Sequence, residues 1–168
     1  MVTKNKKSKP DDYWRRKLAN DQTKDGRLPR VVKITGKLSR RWGTGTVAIP
    51  APRDVDRLMK KVPAGRVTTI NEIRSKVAQD NRATMGCPIT CGIFSWIAAN
   101  AAGEAARVGD KKTTPYWRTL KQGGEINPKY PGGVPGQKKK LKTEGHRIIS
   151  RGKKTIVADW EQTLKKFV

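Results

Sequence analysis

Thirty-eight lysines and arginines stand against 14 aspartates and glutamates in a chain of 168 residues, leaving a net charge of +24. Repulsion of that size opposes a compact state unless a polyanion lies against the surface. It also limits the core: apolar residues make up 35% of the chain, against roughly 45–50% in ordinary globular proteins. One domain of about 100–150 residues with a basic extension is what such a chain can sustain. Nucleic acid is the natural counter-charge, because release of its condensed counterions drives binding. A membrane surface fits poorly, since the chain has neither a long apolar run nor a basic amphipathic helix with a bulky apolar face.

The basic excess is uneven. Residues 1–45 hold 14 Lys/Arg and 4 Asp/Glu, a net +10, with poor apolar periodicity. They read as a largely extended basic arm. Within it, 28–38 (LPRVVKITGKL) is suited to pair as a strand, and Trp14 and Trp42 lie among basic residues, placed either to pin the arm onto the domain or to stack on bases. The opening MVTKNKKSKPDDYW lacks the apolar centre of a signal peptide. This points to a reducing, intracellular home, whether cytoplasmic, nucleoid-associated or nuclear, in which Cys87 and Cys91 stay unbridged.

From residue 46 the pattern becomes helical. Val55, Leu58, Met59 and Val62 fall at helical spacing behind Pro52, with Pro63 and Gly65 as the stop. Thr69 and Glu72 make a T-x-x-E capping box ahead of Ile70, Ile73 and Val77. A third helix starts in CPITCGIFSW, with Ile93, Phe94, Ile97, Ala98 and Ala101 expected on its buried face. Two short helices joined by a loop suggest a helix-turn-helix. Turn signals GG, NP and PGG follow, then a helix over 134–144 closed by Gly145, a hairpin over 146–158, and a last short helix capped by Asp159 with Gln162.

Five fragments then fall into one order: VPAGRVTT, a helix, PYWR, GGEINPKYPGG, and a helix ending in EGHRI. Over roughly 52–148 this resembles the DNA-binding domain of the O6-alkylguanine-DNA alkyltransferases, whose order is P-x-G-x-V-(T/S)-(T/S)-Y, a recognition helix, P-C-H-R, a glycine-rich loop and a helix ending in E-G. The resemblance implies a mainly α, winged helix-turn-helix-like domain with a small β-hairpin over 46–168, preceded by the arm over 1–45. In that family the cysteine of P-C-H-R accepts an alkyl group from a flipped-out guanine. Here Pro115-Tyr116-Trp117-Arg118 occupies the motif, with Tyr116 in the place of the cysteine and Trp117 in that of the histidine. A phenol of pKa near 10 with no adjacent base is a poor acceptor. The chain therefore resembles the alkyltransferase-like subgroup, which lacks the acceptor cysteine and binds alkylated DNA without repairing it.

The same resemblance implies minor-groove binding by the second helix. Matching Ile93 to the buried valine of the family's A-R-A-V-G sets Cys91 in the place of the arginine that enters the base stack, and Ile70 replaces the tyrosine that presses on the target phosphate. Thr68, Thr69, Thr90, Gly92 and Ser95 are then candidates for DNA contact, with Arg118, Lys121, Lys138, Lys139, Lys140, Lys153 and Lys154 as electrostatic anchors. Pro115, Tyr116, Trp117, Tyr130, Gly132 and Gly133, with Ile70, are the candidate lesion pocket. No cofactor is implied, and a C-x3-C pair with a single histidine is short of ligands for a metal. The partners expected are double-stranded DNA, alkylated or plain, and other repair proteins, met by a monomer. Two further readings stay open: a sequence-independent architectural protein on the same fold, and an alkyltransferase using Cys87 or Cys91, a thiol at a helix N-terminus being activated.

Overall fold

The structure, a computed structural model, describes residues 8–168. Its first elements are helix α1 (Tyr13–Ala19), the two-residue strands β1 (Gln22–Thr23) and β2 (Gly26–Arg27), strand β3 (Arg30–Lys33) and helix α2 (Lys37–Trp42). The largely extended arm expected over 1–45 is thus corrected for its described part, while 1–7 lie outside the described residues. The reason is long-range. Trp14 packs edge-on against Trp96, ring centroids 4.6 Å apart. The first free N–H groups of α1, which Asp12 does not cap, donate to the Glu104 carboxylate, Trp14 N at 2.9 Å and Arg15 N at 3.0 Å. A carboxylate from another helix thus supplies the cap that α1 lacks in its own sequence. Of the two roles open to the tryptophans, the geometry is that of pinning. Trp42 also packs inward, against Ile34, Val47 and Cys87.

Strand β4 (Thr46–Ile49) then pairs antiparallel with β3, Val32 opposite Val47. Helix α3 (Pro52–Lys60) buries Val55, Leu58 and Met59, the stripe its spacing predicts. Strand β5 (Thr68–Thr69) leads into α4 (Ile70–Asp80), where Thr69 Oγ1 accepts the Glu72 N–H at 3.4 Å. Strand β6 (Met85–Gly86) lies parallel to β4, Ala48 opposite Gly86, and delivers the chain into α5 (Pro88–Arg107). Helices α3, α4 and α5 close the main core around Met59, Ile73, Val77, Cys91 and Ala98. Ile93 is not part of it: it is 45% exposed, and the inward positions of α5 are Cys91, Ser95, Ile97, Ala98, Ala99, Ala101 and Ala102.

The PYWR motif forms a 3-10 turn, Tyr116–Arg118, followed by β7 (Thr119–Leu120), which runs parallel to β5. Helix α6 (Gly133–Thr143) and the hairpin β8 (Ile148–Arg151) with β9 (Lys154–Val157) complete a second core of Val67, Leu120, Ile126, Leu141 and Val157. The last expected helix is a single 3-10 turn, Trp160–Thr163. Asp159 does not cap it: at φ 51° it turns the backbone left-handed, and its carboxylate takes Arg147 Nη2 at 2.9 Å. Among the described residues no helix is long and apolar enough to cross a membrane.

Glu104 is 2% exposed and accepts at both oxygens. Glu104→Ala leaves two buried-side donors of α1 without acceptors and should cost about 2–3 kcal/mol. It should also speed proteolytic cleavage ahead of residue 28. An unchanged melting temperature with an uncut segment would mean that the Trp14–Trp96 contact alone holds α1.

Candidate nucleic-acid interface

A cavity of about 500 Å³ opens beside the first half of α5. Ile89, Gly92, Ile93 and Trp96 form one wall, and Lys121, Asn127, Pro128 and Lys129 form the other. Its volume lies in the range of small-molecule sites, roughly 300–1,000 Å³. The α5 wall exists because this helix is apolar on two faces, one turned to the core and one left outside. The opposite wall is the turn-rich segment after β7, held by Lys121 N donating to Glu125 O at 2.8 Å and Lys129 N to Asn127 Oδ1 at 3.0 Å. Of the residues expected at the DNA surface, Gly92 and Lys121 lie here. Ile89, Trp96, Asn127, Pro128 and Lys129 were not anticipated. The legible signal was the exposed register: a stripe 89-92-93-96 runs beside the one read as buried.

Cys91 sits elsewhere. It is fully buried, and burial, helped by the neighbouring Cys87, pushes its thiol up to about 12 against a smaller opposing effect of Arg74. It neither reaches a groove nor supplies a thiolate at neutral pH. The buried residue before a glycine is Cys91, not Ile93, so the A-R-A-V-G register moves by two, and Ile89 takes the place assigned to Cys91. Cys87 is also buried; its sulfur caps α5 by accepting the Thr90 N–H at 3.5 Å. Thr90 is half-buried at that first turn.

Four expected DNA contacts prove to be internal ties. Thr68 and Thr69 are buried, the first donating to Lys165 O at 2.9 Å and the second capping α4. Ser95 is 1% exposed and donates to Gly92 O at 2.9 Å. Arg118 holds Glu144 through Nη2 at 2.6 Å and Nε at 3.0 Å, and gives Nη1 to Val62 O at 2.8 Å. A guanidinium with its donors taken this way is a brace between α3, the 3-10 turn and α6, not a phosphate anchor. The remaining lysines face solvent: Lys138, Lys139 and Lys140 on α6, and Lys153 and Lys154 on the hairpin turn.

The expected lesion pocket does not line the cavity. Tyr116 packs edge-on against Trp117 at 5.4 Å and Tyr130 at 6.0 Å, and both tyrosines are buried. Burial pushes the Tyr116 phenol up, and the Tyr130 phenol to about 12 despite hydrogen bonds with Ser95 and Asn127. Trp117 Nε1 donates to Glu144 Oε1 at 3.0 Å, while Lys140 Nζ stands 4.4 Å from its ring centre. Pro115 is buried, Ile70 packs on the main core, and Gly132 and Gly133 form the left-handed entry to α6 at φ 78° and 59°. These aromatics fill the space between the two cores. Among the described residues, no cluster of three His, Cys, Asp or Glu side chains forms a metal site.

No family model matches the chain, and no curated protein matches it. Two solved structures are similar. One is S. pombe Atl1 in complex with damaged DNA containing O6-carboxymethylguanine, at 20% identity and a TM-score of 0.47 over 68% of this chain and 94% of that one. The other is S. pombe ATL in complex with DNA, at 19% identity and a TM-score of 0.41 over the same shares.

The ties around Arg118 carry a pH signature. Burial lowers the pKa of His146, the chain's single histidine, against the pull of the Glu144 charge. Burial alone would raise Glu144, but hydrogen bonds from Arg118 and Trp117 and the Arg118 charge win and lower it. In both cases the unfolded state binds protons first, so stability falls with falling pH. The His146 step begins below pH 6.5 and the Glu144 step below 4.5. Melting temperature against pH should therefore fall in two stages, and His146→Gln should flatten the upper one. A slope between pH 7 and 5.5 that survives His146→Gln would refute the assignment.

Proposed function

We propose that this chain is a non-catalytic, duplex-DNA-binding protein of the alkyltransferase-like kind, which recognises O6-alkylated guanine and marks it for other repair proteins. The observation that carries the reading is the cavity beside α5: an apolar wall faces a turn bearing Lys121 and Lys129, on a chain of net +24. An apolar recess between cations suits a base held between phosphates. The helix-loop-helix of α4 and α5 serves as the reading unit. The hairpin turn, with Lys153 and Lys154, serves as a wing along the backbone, and Lys138, Lys139 and Lys140 supply further phosphate contacts. The order of the sequence motifs supports the same reading. With Tyr116 buried in the acceptor position and Cys91 held protonated, alkyl transfer has no nucleophile.

A titration of the full chain with O6-methylguanine duplex and with plain duplex, at about 150 mM salt, tests this. The lesion duplex should bind at least about tenfold more tightly, a difference of ~1.4 kcal/mol. Equal binding with a steep salt dependence would replace lesion recognition by a sequence-independent architectural role, and no binding of either duplex would refute both. The protein's mass should be unchanged after incubation with alkylated DNA. A permanent gain on the peptide holding Cys87 and Cys91 would instead restore an enzyme.

A further inference from the structure

Helix α5 carries an apolar ridge that the fold does not use. Ile89 is 55% exposed and Ile93 is 45% exposed, on successive turns of one face. Trp96 continues the stripe one turn on. A single exposed isoleucine is unremarkable, but a stripe at 89, 93 and 96 on the first half of a helix whose opposite face is already buried is an unpartnered surface. Between the two isoleucines Gly92 leaves open space, since a side chain there would meet nothing within 4 Å. The ridge therefore stands clear on one side and borders the cavity on the other. Isoleucine is branched at Cβ and holds essentially one helical rotamer, so it projects as a stiff body with little entropy to lose. Lys121 and Lys129 stand across the same cavity.

An apolar ridge faced by cations fits a partner that is anionic outside and apolar within. A duplex has this form, with phosphates on both rims of a groove and a base stack at its floor. An acidic protein surface offers charge without a slot for a ridge, and the overall +24 favours the polyanion. We propose that Ile89 and Ile93 act as a wedge that enters the base stack from the groove occupied by α5, opening one base step while Lys121 and Lys129 hold the flanking phosphates. Apolar side chains, isoleucine among them, serve this purpose in proteins that unstack and kink DNA. The inference rests on the DNA-binding reading above. It adds that recognition begins by unstacking and that two specific side chains perform it.

The test uses the full chain and duplexes carrying the fluorescent adenine analogue 2-aminopurine at successive positions, whose emission rises when it is unstacked. Saturating wild-type protein should raise emission several-fold at one step. Ile89→Ala with Ile93→Ala should return it to the free-duplex level and weaken binding about tenfold. The slope of log affinity against log salt should not change, because no phosphate contact is lost. Lys121→Ala should do the reverse, lowering that slope by about 1 while leaving emission at saturation intact. Both isoleucines are exposed, so the melting temperature of the double variant should match the wild type and exclude misfolding. Tight duplex binding with no rise in emission, or a rise that persists in the double variant, overturns the wedge while the DNA-binding reading stands. In that case the ridge belongs to a protein partner. Absence of duplex binding overturns both.

Discussion

The start of α5 is set by a parallel pairing two residues long. β6 lies along β4, Val47 opposite Met85 and Ala48 opposite Gly86, and Cys87 N donates to Ala48 O at 2.8 Å. The same approach brings Gly86 against the carbonyl of Arg74, where any side chain would collide with backbone. The turn between α4 and α5 is therefore a strand with a fixed partner. That partner is in turn held by β3, which belongs to the basic N-terminal region. At the other end of α5, Glu104 receives α1. The N-terminal segment thus grips this helix at both ends and leaves the stripe from Ile89 to Trp96 uncovered between them.

A second brace defines what the PYWR motif does. Arg118 and Trp117 both donate to Glu144, and Arg118 reaches Val62 as well. A partly buried carboxylate with a bidentate guanidinium and an indole N–H is a strongly directional tie. It locks the end of α6 to the 3-10 turn and to the end of α3. Tyr116, on the other side of Trp117, seals against Tyr130. Hydrogen bonding and aromatic packing thus occupy a place where nucleophilic chemistry would require an accessible thiol.

What the sequence made legible followed local rules. The stripes of α3 and α4, the Thr69 cap, the end of α6 and the hairpin over 148–157 depend on periodicity and turn chemistry within a few residues. What it hid depended on distance along the chain. α1 is short, basic and uncapped by itself; it is ordered by Trp96 and Glu104, more than 80 residues away. Thr68, Ser95 and Arg118 are the right chemical types for phosphate, and only the fold shows that their donors are engaged. Ile93 was misplaced for a different reason. α5 is apolar on two faces, and periodicity alone does not say which one meets the core. Burial of Cys91 decides it.

The charge imbalance is also reinforced by the fold. With only 14 acids available, several sit inside or at joints. Asp56 accepts Thr114 Oγ1 and pairs with Lys60, Glu104 holds α1, Glu144 holds Arg118, and Glu125 meets both Lys121 and Lys154. Carboxylates engaged as ties do little to soften the field at the exposed lysines of α6 and the hairpin turn. The surface charge is thus less compensated than a count of acids and bases implies. A bound polyanion relieves that repulsion only in the folded state, where these lysines are held close together. By linkage, binding then adds to stability as RT ln(1 + [L]/Kd). Sparse apolar content and excess charge, unfavourable for the isolated chain, become two sides of one arrangement once a duplex lies along the face that α5 leaves open.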